Sequence, residues 1–388
     1  MRDFVVCDIP YRDRRFTAAA LVDEGRIREL ILEEADRPSY VSEVRRGIVE
    51  TVSRNIGGAF VDIGLKSLCF LPLGRHSHIA PSQPVLVQVT KDAAGRKEPV
   101  LTETIHLSGR YAVLLSRGEK TSFSAKLSEE EKAAVRKWLT DQPPRYSLLV
   151  RTNAGRASKA EVLAEIEALS LEMDRILEQY PKSASGEVLW RPAPFYEDAV
   201  RDLYCPPDRC FTDIPSAAVR LSRFTDQAAG VGEEIPGAVL RPGAGKALTL
   251  AELYGIPHEL DRLTQKIVWL KSGAFLVIEQ TEAFVSIDVN TGKCIKGRIP
   301  EETYRKVNLE AAEEIARQLR LRNLSGMILV DFIKLKSEDH KSELLHVMRK
   351  HVRHDHIRTE AVDLTPLGIM EITRQKVRKP LAEVLGLC

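Results

Sequence analysis

A multidomain α/β architecture is predicted by three features of the 388-residue sequence. Short strands broken by glycine and proline fill residues 39–117, the pattern of a small closed β-barrel. A strand, a long amphipathic helix and a second strand follow one another between residues 283 and 333, the pattern of a right-handed parallel crossover. The length allows roughly two to four domains, and a hydrophobic content of 44% is ordinary for a soluble globular chain.

The 57 basic and 55 acidic residues nearly cancel to a net charge of +2, so no global positive field advertises nucleic acid. A nucleic-acid site must then come from local clustering. No apolar run reaches membrane-spanning length, and Met1-Arg2-Asp3-Phe4 opens no signal peptide, so a cytoplasmic protein is expected. In a reducing compartment Cys7, Cys69, Cys205, Cys210, Cys294 and Cys388 are most simply free thiols. Cys205-Pro-Pro-Asp-Arg-Cys210 has no second pair to complete a tetrahedral zinc site.

Within residues 1–38, Phe16 to Val22 and Ile27 to Leu32 flank the turn Asp23-Glu24-Gly25-Arg26. A hairpin this small cannot bury its own face and must complete a sheet with a later segment. In residues 39–117 the strands are Gly47 to Val52, Ala59 to Ile63, Cys69 to Leu73 and Pro84 to Val89. The order Gly-x-Val, Gly-Ala-Phe-Val-Asp-Ile-Gly, Phe-Leu-Pro resembles the S1-type OB barrel, a single-stranded RNA-binding module. Residues 118–189 predict helices over Ser128 to Leu139 and Ser158 to Gln179, the first opening with a capping-box spacing. Between them, Ser147 to Val150 is a strand running into the loop Arg151 to Arg156. Residues 190–262 are Pro-rich with weak periodicity, and a compact α/β unit occupies 263–388.

That last unit carries two aspartates inside apolar stretches, Asp288 in Ala283–Asn290 and Asp331 in Met327–Ile333. Gly273 to Glu279 and Ala283 to Val289 form a predicted hairpin, and alternation puts Phe284, Ser286, Asp288 and Asn290 on one face. Residues 301–322 form a helix whose apolar stripe is Tyr304, Val307, Ala311, Ile315 and Leu319. Met327 to Ile333 returns as an apolar strand of the kind buried on both faces. Burial of an unpaired carboxylate is costly, and two carboxylates at neighbouring strand ends share a counter-ion most simply as a metal. With a nearby amide they are hard oxygen ligands suited to Mg²⁺ and to phosphoryl chemistry. The plainer alternative for each aspartate is a loop cap or an ion pair.

At these residues the sequence resembles the RNase E/G family of bacterial endoribonucleases. The resemblance rests on Ser286-Ile287-Asp288-Val289-Asn290, on Asn308 to Arg322, on Val330-Asp331-Phe332-Ile333 and on Gly368 to Gln375. Leu101 to Tyr111 fits the same family between its barrel and its sensor. The resemblance covers about residues 1–385 and implies an RNase H-like portion, 1–38 with 190–262, interrupted by the S1-type barrel at 39–117 and a 5′-sensor at 118–189. A DNase I-like catalytic subdomain then follows at 263–388. It implies Mg²⁺, with Mn²⁺ as a substitute, on Asp288 and Asp331, supported by Asn290. The implied reaction is hydrolysis of single-stranded RNA, rRNA precursors and mRNA among it, to 5′-phosphate and 3′-hydroxyl ends.

Arg151 and Thr152 match the family's 5′-monophosphate pocket, and their donors suit phosphate oxygens. Phe60 and Phe70 match RNA-contacting barrel phenylalanines, with burial in the barrel core as the alternative. Lys97 lies near a family position that contacts RNA. Two departures matter. Lys334 stands where the family often has a further aspartate. Leu387-Cys388 stands where a Cys-x-x-Cys zinc link and a small dimerisation domain commonly begin, so neither the structural zinc nor the family's homo-oligomer follows from the resemblance. His346, His351, His354 and His356 are expected on a solvated or RNA-facing helix rather than around a metal. The rival readings are an RNA-binding or RNA-processing scaffold without catalysis and a translation-associated S1-type module.

Overall fold

The computed structural model describes the chain apart from residues 36–38, 75–77, 94–96, 119, 204–206, 223, 225–247, 293–300, 354 and 388. It divides into two compact units, Ser39–Pro194 and Met1–Pro38 with Phe195–Cys388.

In the first of these units, Val44–Ser53 pairs antiparallel with both Gly58–Asp62 and Pro84–Lys91. Cys69–Pro72 bridges from Gly58–Asp62 to Val100–Thr102, which in turn pairs with Pro84–Lys91, so five strands close into an OB-like barrel. Alternate residues fill it: Val49, Val61, Ile63, Leu71, Val87 and Leu101 are all buried. Two glycines are required by close approach. A Cβ at Gly47 would lie 2.5 Å from Val61 Cγ1, and one at Gly58 would lie 2.2 Å from the Phe70 ring.

The rest of that unit is a four-stranded sheet in the order Thr121–Phe123, Ser147–Val150, Ala112–Leu115, His106–Ser108. Helices Glu129–Asp141 and Lys159–Gln179 pack their apolar stripes on it through Val135, Leu139, Val162, Ile166 and Met173. Each helix opens with a complete capping box, Ser128 with Glu131 and Ser158 with Glu161, which satisfies otherwise orphaned backbone donors.

In the other unit the predicted hairpin, Arg14–Asp23 with Arg26–Glu34, does complete a larger sheet. Arg2–Tyr11 lies beside Arg14–Asp23, and Arg209–Thr212 pairs with it in parallel. Helices cover both faces: Tyr196 and Val200 pack on Phe4 and Val6, while Ile256 and Leu260 pack on Val5, Cys7 and Ile9. These helices fall in the segment whose periodicity was too weak to read, because both are short and each shows only one or two apolar turns.

The second sheet of this unit has the strand order Ile267–Trp269, Phe275–Gln280, Phe284–Asn290, Gly326–Asp331, Ile369–Arg374, Thr359–Leu364. Helices Glu301–Leu321 and Glu338–Val352 bury one face of it, through Val307, Ala311, Ile315, Leu319, Leu344 and Met348. The opposite face is open, which corrects the expectation that Met327–Ile333 is buried on both sides. Met327 is 49% exposed, and the strand ends at Asp331. The Glu301–Leu321 helix is less simply amphipathic than its stripe predicts. Its polar positions Glu314, Arg317 and Gln318 are buried too, because that side meets the first sheet and the Glu259 helix.

Candidate active site

Asp288 and Asp331 are brought together by backbone pairing. Phe284–Asn290 runs parallel to Gly326–Asp331, and the register sets Asp288 directly opposite Asp331 at the carboxyl ends of both strands. Parallel pairing needs a long crossover, and the Glu301–Leu321 helix provides it. Residues directly opposite in a sheet project to the same side, so the two carboxylates share the open face. Both aspartates are exposed. The electrostatic premise that singled them out, burial without a partner, is therefore incorrect. They punctuate apolar strands because they sit on the solvent side of a sheet whose other side is core.

Asn290 is on the same face, two residues on, and its Nδ2 donates to Asp288 Oδ2 at 2.7 Å. That bond holds one carboxylate and leaves the other oxygens facing outward. Among the described residues no group of three or more His, Cys, Asp or Glu side chains is placed to hold a metal ion. The residues that could serve as donors here are two carboxylates and an amide, hard oxygen ligands of the kind a small divalent cation takes together with water. Lys334 is exposed three residues beyond Asp331.

Asn308 was not singled out from the sequence as a site residue. It is fully buried on the crossover helix and grips both backbone polar groups of one residue in the segment after Asp331. Its Nδ2 donates to the Ile333 carbonyl at 2.7 Å, and its Oδ1 accepts from the Ile333 N–H at 3.1 Å. At the helix start, Glu301 accepts the N–H groups of Lys336 and Ser337, which hold its carboxyl below the usual range. Both contacts anchor the chain where it leaves the Asp331 strand. The one legible signal was an asparagine amid the helix's apolar positions, a residue type that favours caps and turns over helix interiors.

Arg151 and Thr152 belong to the other unit, at the end of the Ser147–Val150 strand. Arg151 Nη1 donates to the Gly109 carbonyl at 2.7 Å, and Thr152 Oγ1 shares a 2.8 Å hydrogen bond with Ser124 Oγ. The loop carrying Gly109 is itself held by Glu165, whose carboxylate accepts the backbone N–H groups of Arg110, Tyr111 and Ala112. A Cβ at Gly109 would fall 2.3 Å from Glu165 Oε1, so any larger residue there would displace the carboxylate that holds the loop. Ser124 and Glu165 gave no sequence signal of their own.

On the barrel, Phe60 and Phe70 face each other edge-on with centroids 5.9 Å apart. Both are half-buried and stand outside the barrel's core cluster. Lys97 is exposed. The Glu338–Val352 helix carries His340, His346 and His351 and gathers no metal site among the described residues; His356, expected on it, lies beyond its end. His340 Nδ1 lies 3.2 Å from Glu301 Oε1, His356 Nδ1 lies 3.3 Å from Glu29 Oε2, and His346 is exposed. His354, Cys205, Cys294 and Cys388 lie outside the described residues.

Residues 106–377 match the sequence model of the Ribonuclease E/G family. The chain belongs to that family. Ribonuclease E of Nostoc sp. is 32% identical over 385 residues, covering 95% of this chain and 56% of that protein. Ribonuclease G of Escherichia coli K12 is 29% identical over 397 residues, covering 95% and 79%. Ribonuclease E of Synechocystis sp. is 30% identical over 388 residues, covering 95% and 56%. The chain thus spans little more than half the length of these ribonuclease E relatives. Among the described residues no helix is long and apolar enough to cross a membrane.

Proposed function

We propose that this member of the ribonuclease E/G family is a Mg²⁺-dependent endoribonuclease that cuts single-stranded RNA and leaves 5′-phosphate and 3′-hydroxyl ends. The observation that carries the reading is the register of Asp288 with Asp331 on an open sheet face. In this reading both aspartates hold the cation, and Asn290 fixes the Asp288 carboxylate through its 2.7 Å bond. A bound Mg²⁺ would lower the pKa of water and offset phosphate charge. Lys334 adds a cation at the rim that can meet a flanking phosphate.

Arg151 and Thr152 bind a 5′-monophosphate in this reading, Arg151 through its guanidinium fork and Thr152 through its hydroxyl. Phe60, Phe70 and Lys97 contact the strand on the barrel, where half-buried rings suit base stacking better than a closed core does. We assign the RNase H-like portion to 1–38 and 190–262, the S1-type barrel to 39–117 with its last two strands, His106–Ser108 and Ala112–Leu115, shared into the sheet of the sensor at 118–189, and the DNase I-like subdomain to 263–388. Substrates of this class include rRNA precursors and mRNA. A scaffold without catalysis is disfavoured, since nothing in a scaffold requires Asp288, Asn290 and Asp331 to converge.

The test compares cleavage of one oligoribonucleotide carrying a 5′-monophosphate or a 5′-triphosphate, with and without Mg²⁺. The expected result is Mg²⁺-dependent cleavage, faster for the monophosphate, and its loss in Asp331→Asn with RNA binding retained. Cleavage that survives Asp331→Asn contradicts the assignment.

A further inference from the structure

The open face of the second sheet carries an aromatic pair that the proposed reaction does not use. Trp269 is 60% exposed on the edge strand, and its ring lies 5.1 Å from that of Phe275, tilted by 52°. Pairing places Trp269 opposite Phe275 and Phe275 opposite Asn290, so the three form one row across the sheet. The adjacent row on the same face runs from Ile267 through Val277 and Asp288 to Asp331. By strand spacing and rise, Trp269 stands roughly 10 Å across and about 7 Å along from Asp288.

Large exposed tryptophans are uncommon without a partner, because the indole loses much by facing water. An apolar protein partner fits this face poorly. Ser286, Asp288 and Asn290 project from the strand next to Phe275 and would be covered along with the rings. Single-stranded RNA fits better, since it offers a π-face and a phosphate in alternation. Lys271, exposed two residues past Trp269 in the sequence, adds a positive charge to the turn that follows this strand. We propose that Trp269, backed by Phe275, is a stacking platform for a nucleobase of the RNA strand beside the scissile phosphate. This inference rests on the reading of Asp288 and Asp331 as the cleavage site.

The test is binding of a single-stranded 2′-O-methyl RNA, which resists cleavage, to the full chain, read by tryptophan fluorescence and by anisotropy. The wild-type protein is expected to show quenching on binding. Trp269→Leu is expected to lose that quenching and to bind about tenfold more weakly, the scale of one lost stacking contact. Trp269→Phe, which keeps a ring, is expected to bind within about twofold of wild type. Unchanged affinity in Trp269→Leu overturns the proposal. So does a solution mass showing that Trp269→Leu dissolves an assembly of the wild-type chain, which would assign the face to a second copy. Failure of the functional reading would show separately, as wild-type protein that binds and quenches but never cleaves with Mg²⁺.

Discussion

Asn308 illustrates how much of a site can lie outside its reacting groups. Its amide satisfies both the N–H and the carbonyl of Ile333, two residues beyond Asp331, from a fully buried position. Asn308→Ala leaves both groups unpaired, at about 1–3 kcal/mol each. The expected result is a lower denaturant midpoint, with slower cleavage per folded molecule because the Asp331 strand end is no longer held. A variant with wild-type stability and rate would show that the clamp is dispensable. At this scale Asp288, Asn290 and Asp331 were legible in the sequence, since polar residues in apolar strands stand out. The physical reason first attached to them was wrong, because a sequence cannot say which face of a sheet is left open. Ser124 and Glu165 were not legible, for they meet Thr152 and the Gly109 loop only after distant strands pair.

Elements were read best where one period dominated. The crossover helix and the two capping-box helices matched their predicted spans within one or two residues. The short helices of residues 195–263 did not announce themselves, since a single turn of apolar spacing is indistinguishable from a loop. The Ile369–Arg374 strand has its own structural anchor in Arg374, buried with Asp355 at 2.8 Å. The same guanidinium donates to Asn323 Oδ1 and the Leu324 carbonyl, tying the end of the crossover helix to the sheet. Burial alone would push the Asp355 carboxyl up, but the Arg374 charge and hydrogen bond outweigh it and hold the carboxyl low. Arg374→Ala strands that carboxylate and is expected to cost about 3–5 kcal/mol, measured by chemical denaturation. A loss under about 1 kcal/mol would mean that water replaces the arginine.

At the scale of the whole molecule, the barrel and the crossover unit were foreseeable because glycine, proline and aspartate mark them. The joining of the two sheets around the crossover helix was not, because it depends on polar contacts between distant segments. Arg317 reaches the Ile27 carbonyl and Glu259, and His356 reaches Glu29 on the neighbouring sheet. Burial opposes charging of His356, yet the Glu29 bond and charge, with Asp355, raise its pKa above the ordinary value. A raised histidine contributes stability that is fully present below the unfolded pKa and lost as pH rises through the folded one. Stability is therefore expected to decline from about pH 6 upward, and His356→Gln to flatten that decline. An equal slope in both proteins would exclude His356 as its source.

The proposed site requires Asp288 and Asp331 to act as one unit, which single-turnover cleavage of a 5′-monophosphorylated RNA by Asp288→Asn, Asp331→Asn and the double variant tests. Groups that share one cation fail together, so each single variant is expected to lose about as much rate as the double, at least roughly a thousandfold. Either single variant cleaving near the wild-type rate, or losses that simply multiply in the double, would contradict the shared site.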